Sequence, residues 1–260
     1  MNSIQKVAII TGSSKGIGLE MALQFLKAGY KVSLVARSFS NQNFLESYKG
    51  QYLLIEADLT RTESAALVVR QTKDQWGRVD VLINNCGGLG ETGTIDVLSG
   101  EAWIHSFQLN FMSAVNCTRE ALSVMEAQKS GKVVFLSSIT AVQPGSYNPH
   151  YSSMKAALIN FSKHLAGIYA SKGINVNCIS PGNIKTEGWD DYITQKSQET
   201  GKSVQEVEIE EEKRVINTIP LGRLGSTAEV AKLALYLVSK DGGYFSGENF
   251  LIDGGKYRSI

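Results

Sequence analysis

The sequence predicts an α/β fold, a doubly wound parallel sheet with helices on both faces, in a single domain spanning residues 1–260. Two observations carry this reading. Short, near-continuously apolar runs recur from Lys6 to about position 185, and longer amphipathic stretches lie between them. Strands apolar on both faces belong to a sheet covered on both sides. Strand, helix and strand in steady succession imply right-handed βαβ crossovers.

In chain order, KVAII (Lys6–Ile10) reads as the first strand and GLEMALQFLKAG as the helix that follows. KVSLVA (Lys31–Ala36), YLLIEA (Tyr52–Ala57), DVLIN (Asp80–Asn84), KVVFLS (Lys132–Ser137) and INVNCIS (Ile174–Ser180) are the next strands. The stretch AALINFSKHLAGIYASKG reads as the helix leading into the last of them. Residues 187–220 break the rhythm. They contain the charge-rich run QEVEIEEEKR, and the next helix begins only near Ser226. This segment is either a solvated helical insertion or a mobile substrate lid, since ligands bind at the carboxyl ends of strands in such sheets. ENFLIDGG reads as a final short strand and turn.

Composition narrows the function class. Apolar residues make up 43% of the chain and charged residues 20%, an ordinary globular balance. A net charge of +1 gives no electrostatic reason to expect nucleic acid or an anionic membrane as partner. The three cysteines, Cys86, Cys117 and Cys178, are far apart and odd in number, which suggests reduced thiols rather than a disulfide framework or a zinc site. MNSIQKVAIITG has no cleavable signal pattern, and no apolar stretch approaches the roughly 20 residues of a membrane span. A cytoplasmic protein is expected.

After the first strand comes TGSSKGIG, with Gly12, Gly16 and Gly18, and a helix follows at once. A strand, a glycine turn and a helix N-terminus together form an anion site, because the backbone can approach a pyrophosphate and free amides face it. The spacing is G-x-x-x-G-x-G. An NAD site usually carries Asp or Glu at the end of the second strand to hold the ribose 2′-hydroxyl. Here the strand ends Ala36-Arg37-Ser38, and the next acidic residue is Glu46. Arg37 and Lys15 instead offer two cations suited to a 2′-phosphate, so NADP(H) is the expected cofactor.

Tyr151 and Lys155 lie four residues apart, one turn on one face of a helix. A phenol with an ordinary pKa near 10 is a poor acid–base catalyst at neutral pH. A nearby ammonium would stabilise the phenolate and draw that pKa down. Ser138, at the end of a strand, could hold a substrate oxygen by hydrogen bond.

These motifs resemble the single-domain branch of the short-chain dehydrogenase/reductase family, over essentially the whole chain. TGSSKGIG is similar to its T-G-x-x-x-G-x-G turn, YSSMK to its Y-x-x-x-K, and NNCG (Asn84–Gly87) to its N-N-A-G, with Cys86 in place of Ala. Ser138 stands at the family's usual offset before Tyr151, and Asn110 in QLNFMSA occupies the position of the family's asparagine. PGNIKT (Pro181–Thr186) resembles the segment that contacts the nicotinamide carboxamide.

The resemblance implies a Rossmann-like fold and an Asn110–Ser138–Tyr151–Lys155 tetrad. Tyr151 would exchange a proton with the substrate oxygen, Ser138 would orient it, and Asn110 would fix a water that relays protons to Lys155. Implied cofactor contacts are Gly12, Ser14, Lys15, Gly16, Ile17 and Gly18 in the turn, then Arg37, Asp58, Leu59, Asn85 and Gly87. Tyr151, Lys155, Pro181, Gly182, Ile184 and Thr186 complete them. Asp58 would contact the adenine, Asn85 and Gly87 would shape the wall beneath its ribose, and Lys155 would hold the nicotinamide ribose. The resemblance also implies a homo-oligomer, dimer or tetramer, built on the apolar face of AALINFSKHLAGIYA.

Within the family the general likeness is to 3-oxoacyl-[acyl-carrier-protein] reductase-type members, including GRLG…EVA and the final DGG. The expected partner is a small carbonyl or alcohol substrate, although the acidic stretch Glu206–Glu212 would not attract an acidic carrier protein. A catalytically silent NADPH-binding sensor or scaffold is the competing reading, and it would not need the tetrad. A sugar-nucleotide epimerase of the longer branch would need a further C-terminal substrate domain. No metal is expected, because His105 and His164 lack ligand-spaced partners. His150 is expected to line the pocket rather than act in the chemistry, and Trp103, Tyr147 and Trp189 are expected either near the substrate mouth or simply in packing.

Overall fold

The computed structural model describes residues 5–40 and 43–259. Its strands are β1 (Val7–Thr11), β2 (Lys31–Ala36), β3 (Tyr52–Glu56), β4 (Val81–Asn84), β5 (Gly131–Leu136), β6 (Ile174–Pro181), β7 (Ile184–Lys185), β8 (Gly225–Ser226) and β9 (Asn249–Ile252). Its α-helices are α1 (Gly16–Lys27), α2 (Thr62–Trp76), α3 (Gly100–Phe107), α4 (Ser113–Gln128), α5 (Pro149–Tyr169), α6 (Glu187–Thr200), α7 (Val204–Ile216) and α8 (Thr227–Val238).

Seven parallel strands form one sheet in the order β3-β2-β1-β4-β5-β6-β9. Successive side chains of a strand point to opposite faces. Ile9 therefore enters one core beside Leu82, Phe135 and helices α2, α4 and α5. Its neighbours Ala8 and Ile10 enter the other, beneath α1 and α8. Both faces are covered, so both sets of side chains are apolar and the strands read as continuous apolar runs.

Phe135 is fully buried in β5, with its ring 5.7 Å from that of Phe161 on α5. Phe135→Ala should lower stability by about 3–5 kcal/mol through lost burial and the cavity left behind. Urea unfolding would measure this as a lower midpoint with an unchanged slope.

The chain runs outward from β1 to β3 and then returns to start again at β4, beside β1. That reversal opens a crevice at the strands' carboxyl ends, where ligands bind in doubly wound sheets. Residues 187–220 form mainly two helices, α6 and α7. Their roots are joined by a strand pair too short to be legible in the sequence, in which Ile184 and Lys185 of β7 meet Gly225 and Ser226 of β8. Glu211 on α7 binds Tyr192 and Lys196 of α6, and also Arg214, which makes the two helices one unit.

Candidate active site

The glycine turn is held from below. Thr11, buried at the end of β1, accepts hydrogen bonds through Oγ1 from the backbone amides of Asn85 (3.0 Å) and Cys86 (2.9 Å). Asn85 returns the contact, its Nδ2 donating to Thr11 O and Gly12 O at 2.9 Å each. Ser13 is buried beside it and accepts from the backbone amide of Val35 on β2 at 2.8 Å. A Cβ on Gly18 would collide with the carbonyl oxygen of Gly12, so only glycine lets α1 start this close to the turn. Helix α1 has no side-chain cap and no acidic residue in its first turn. Its first amides, the exposed Ser14 and the cation Lys15 suit a pyrophosphate.

Arg37 is exposed just beyond β2, close enough to Asp58 to act on its charge. Hydrogen bonds from Thr60 hold the Asp58 carboxyl below its usual pKa, and Arg61 and Arg37 add to this. Leu59 is buried in the core, which leaves only its backbone available to a ligand.

Tyr151 owes its place to the start of α5. Asn148 adopts a left-handed conformation with φ 59°, and its Oδ1 accepts from Gly93 N at 3.0 Å. Pro149 then opens the helix, its fixed φ suiting the first turn, and places Tyr151 in that turn. Lys155, one turn later and only 3% exposed, extends its Nζ to Leu136 O at 2.8 Å, with the Tyr151 ring centroid 5.5 Å away. Ser137 fixes the same helix turn by donating to Lys155 O at 2.7 Å. Ser138 lies at the end of β5, where its Oγ accepts from Thr140 N at 3.2 Å and is 3.0 Å from Thr140 Oγ1.

Asn110 sits in a single π-helical turn, Gln108–Met112, between α3 and α4. Such turns recur at functional sites. Its side chain is fully buried and clamps Gly88: Oδ1 accepts from Gly88 N and Nδ2 donates to Gly88 O, both at 2.9 Å. A Cβ on Gly87 would lie 2.7 Å from Asn110 Oδ1 and 3.0 Å from Lys155 Nζ. Glycine there is what lets these two side chains converge.

Burial raises the Tyr151 phenol above its ordinary pKa, and the hydrogen bond with Ser138 opposes the rise. The Lys155 ammonium is turned to Leu136 O and is itself poorly solvated. Burial lowers the Lys155 pKa to about 8.

That shift has a stability consequence. A lysine of pKa 10.5 unfolded and about 8 folded costs roughly 3 kcal/mol wherever both states are protonated, below pH 8. The penalty fades as pH rises from 8 towards 10.5. Lys155→Met should therefore stabilise the fold by about 2 kcal/mol at pH 7, after loss of the Leu136 bond at about 1 kcal/mol. Urea unfolding at pH 7 and pH 9.5 should show the gain shrinking at the higher pH.

A cleft of about 610 Å³ opens over these groups. Ile17, Ser138, Tyr151, Pro181, Gly182, Ile184 and Thr186, all candidate site residues from the sequence, line it. Trp189 on α6 lines it too, whereas Trp103 and Tyr147 do not. The expectation for His150 is corrected: it is buried edge-on to Trp103, away from the cleft, because adjacent residues of a helix point in different directions. Burial pushes the Cys86 thiol up, which disfavours the reactive thiolate. Thr11, Ser137, Leu89 and Lys256 escaped the reading of the sequence, since only the folded chain brings them to the site. No cluster among the described residues could hold a metal ion.

The profile of a family described as short chain dehydrogenase matches residues 6–197. An acetoacetyl-CoA reductase from Acinetobacter sp. is 33% identical, covering 98% of this chain and 99% of the relative. A 3-oxoacyl-[acyl-carrier-protein] reductase from Haemophilus influenzae is 29% identical with the same coverage. L-sorbose reductase from Gluconobacter frateurii, solved in complex with NADPH and L-sorbose, superposes with a TM-score of 0.89 at 33% identity, over 98% of each chain.

Proposed function

The chain belongs to the short-chain dehydrogenase family and is an NADP(H)-dependent oxidoreductase, and from that premise we propose that it interconverts a secondary alcohol and a ketone with Tyr151 as general acid and base. The observation that carries this is the placement of Tyr151, Ser138 and the cleft at the carboxyl ends of the strands, above Lys155 and Asn110.

When bound, NADPH supplies the hydride. The glycine turn and α1 would hold its pyrophosphate, Lys15 and Arg37 its 2′-phosphate, and Pro181, Gly182, Ile184 and Thr186 the carboxamide end. Tyr151, kept neutral by burial, gives its proton to the carbonyl oxygen and takes one back in oxidation. Ser138 holds that oxygen in line. Lys155 places a positive charge behind the phenol and restores its proton, and Asn110 fixes the loop at Gly88 that walls the site. A silent sensor would have no use for Ser138 and Tyr151 facing the cleft.

We further propose that α6 and α7 act as the substrate lid. Trp189 faces the cleft, and Lys15 is tied to Asp191 of α6 by one exposed ion pair at 3.1 Å, worth under about 1 kcal/mol. That contact is weak enough to yield to a 2′-phosphate. A homo-oligomer is proposed as well, supported by the exposed apolar Ile104 and Phe107 on α3 and Ile168 on α5. Light scattering tests it, and a monomeric mass overturns it. No helix among the described residues is long and apolar enough to cross a membrane, and the free thiols suit a cytoplasmic setting.

Titrating NADPH and NADH fluorescence should show NADPH binding the more tightly, and tighter NADH binding overturns the roles of Lys15 and Arg37. Consumption of NADPH with 3-oxoacyl thioesters, cyclic ketones, steroids and sugars tests the reaction itself. Turnover of none of them overturns the carbonyl reading.

A further inference from the structure

Lys256 lies just beyond β9, after the Gly254–Gly255 turn, and lines the same cleft as Ser138, Tyr151 and Trp189. It is the one charged residue among those lining the cleft, whose nearby walls include apolar Leu89, Ile139 and Pro144. Its side chain is half-buried, and Nζ donates to Asn183 Oδ1, a neutral acceptor, at 2.7 Å.

No carboxylate stands within ion-pair distance of Lys256 among the described residues. Asp253, the acid nearest in sequence, is committed elsewhere. Its Oδ1 accepts from Gly255 N at 3.0 Å and its Oδ2 from Tyr257 N at 2.7 Å. Arg214 on α7, another cation, is near enough to act on the Lys256 charge and is already bound to Glu211. Burial and then Arg214 push the Lys256 ammonium below its usual pKa, and Asp253 offsets this only in part.

A partly desolvated cation without a counter-ion is costly, and the cost is relieved when a ligand brings the opposite charge. We infer that Lys256 is a specificity-determining residue that binds an anionic group, carboxylate or phosphate, carried by the ketone substrate. The inference rests on the carbonyl reductase reading and names its substrate class. The anion sits against Lys256 at one end of the cleft, and the carbonyl reaches Ser138 and Tyr151. The charged contact fixes the carbonyl's approach without taking part in the chemistry.

The test compares charged and neutral ketones of matched shape. Straight-chain oxo acids from laevulinate upward are paired with their methyl esters, and dihydroxyacetone phosphate with dihydroxyacetone. NADPH consumption is followed with wild type, K256Q and K256R. Wild type should prefer one anionic series in kcat/KM, and the series preferred distinguishes carboxylate from phosphate. K256Q keeps a bond to Asn183 but not the charge. It should raise KM for the preferred anion roughly ten- to a hundred-fold, leave the neutral partner within twofold, and be largely rescued in K256R. Equal use of charged and neutral ketones, or an anion preference that survives K256Q, overturns the assignment of Lys256 alone. Tight NADPH binding with no turnover of any ketone overturns the carbonyl reductase reading and the assignment with it.

Discussion

Tyr151→Phe should reduce turnover by about 10²- to 10⁴-fold while leaving NADPH affinity almost unchanged. Tyr151 lines the cleft and is the proposed proton donor to the carbonyl oxygen, and phenylalanine keeps its ring. The variant loses the hydrogen bond with Ser138, so a stability change of about 1 kcal/mol is expected, too small to unfold the chain. Fluorescence titration with NADPH separates this from a folding defect, because the glycine turn and Arg37 are untouched. A loss under tenfold would move the proton donor elsewhere. The pH dependence has a defined direction. Burial raises the phenol's pKa and lowers that of Lys155, so reduction should stay flat across neutral pH, fall above about pH 8 as Lys155 loses its proton, and fall further as Tyr151 ionises.

Most of the fold was legible because both faces of the sheet are covered. KVAII and KVVFLS read as strands for the same reason that β1 and β5 are buried from end to end, apart from the partly exposed Lys132. The ends fell within a residue or so of the structure. β7 and β8 were not legible, since two residues show no periodicity. The closeness of Tyr151 and Lys155 was legible as a spacing, because they share one helix, and Ser138 lies just beyond β5. Their surroundings were not. Lys256 meets Asn183 across 73 residues of chain, and Asn110 meets Gly88 through a π turn that leaves no mark in apolar periodicity. The lowering of the Tyr151 pKa by Lys155 was a spacing argument too. The direction of the Lys155 ammonium was not legible, because it depends on Leu136 O, a backbone atom that sequence does not locate.

Ala36→Asp combined with Arg37→Met should invert cofactor preference, changing the ratio of kcat/KM for NADPH over NADH by roughly 10³-fold. Two effects of opposite sign on the two cofactors add. Removing Arg37 deletes a guanidinium that can bind a 2′-phosphate bidentately, worth about 1.5–3 kcal/mol for NADPH and nothing for NADH. Aspartate at the last residue of β2 gives NADH an acceptor for its ribose 2′-hydroxyl and sets a like charge against the phosphate of NADPH. Position 36 is the last residue of β2 and Ala36 is buried there, so the aspartate should also cost some stability. Lys15 stays in place and continues to favour NADPH. Its ion pair with Asp191 is exposed on both sides and is easily exchanged for a phosphate, so the double variant should retain some NADPH activity. Adding Lys15→Met should remove that residue of preference, with a smaller effect than Arg37→Met. Steady-state kinetics with both cofactors at saturating ketone measure all three steps. An Arg37→Met variant whose KM for NADPH equals that of the wild type would place the 2′-phosphate on Lys15 alone.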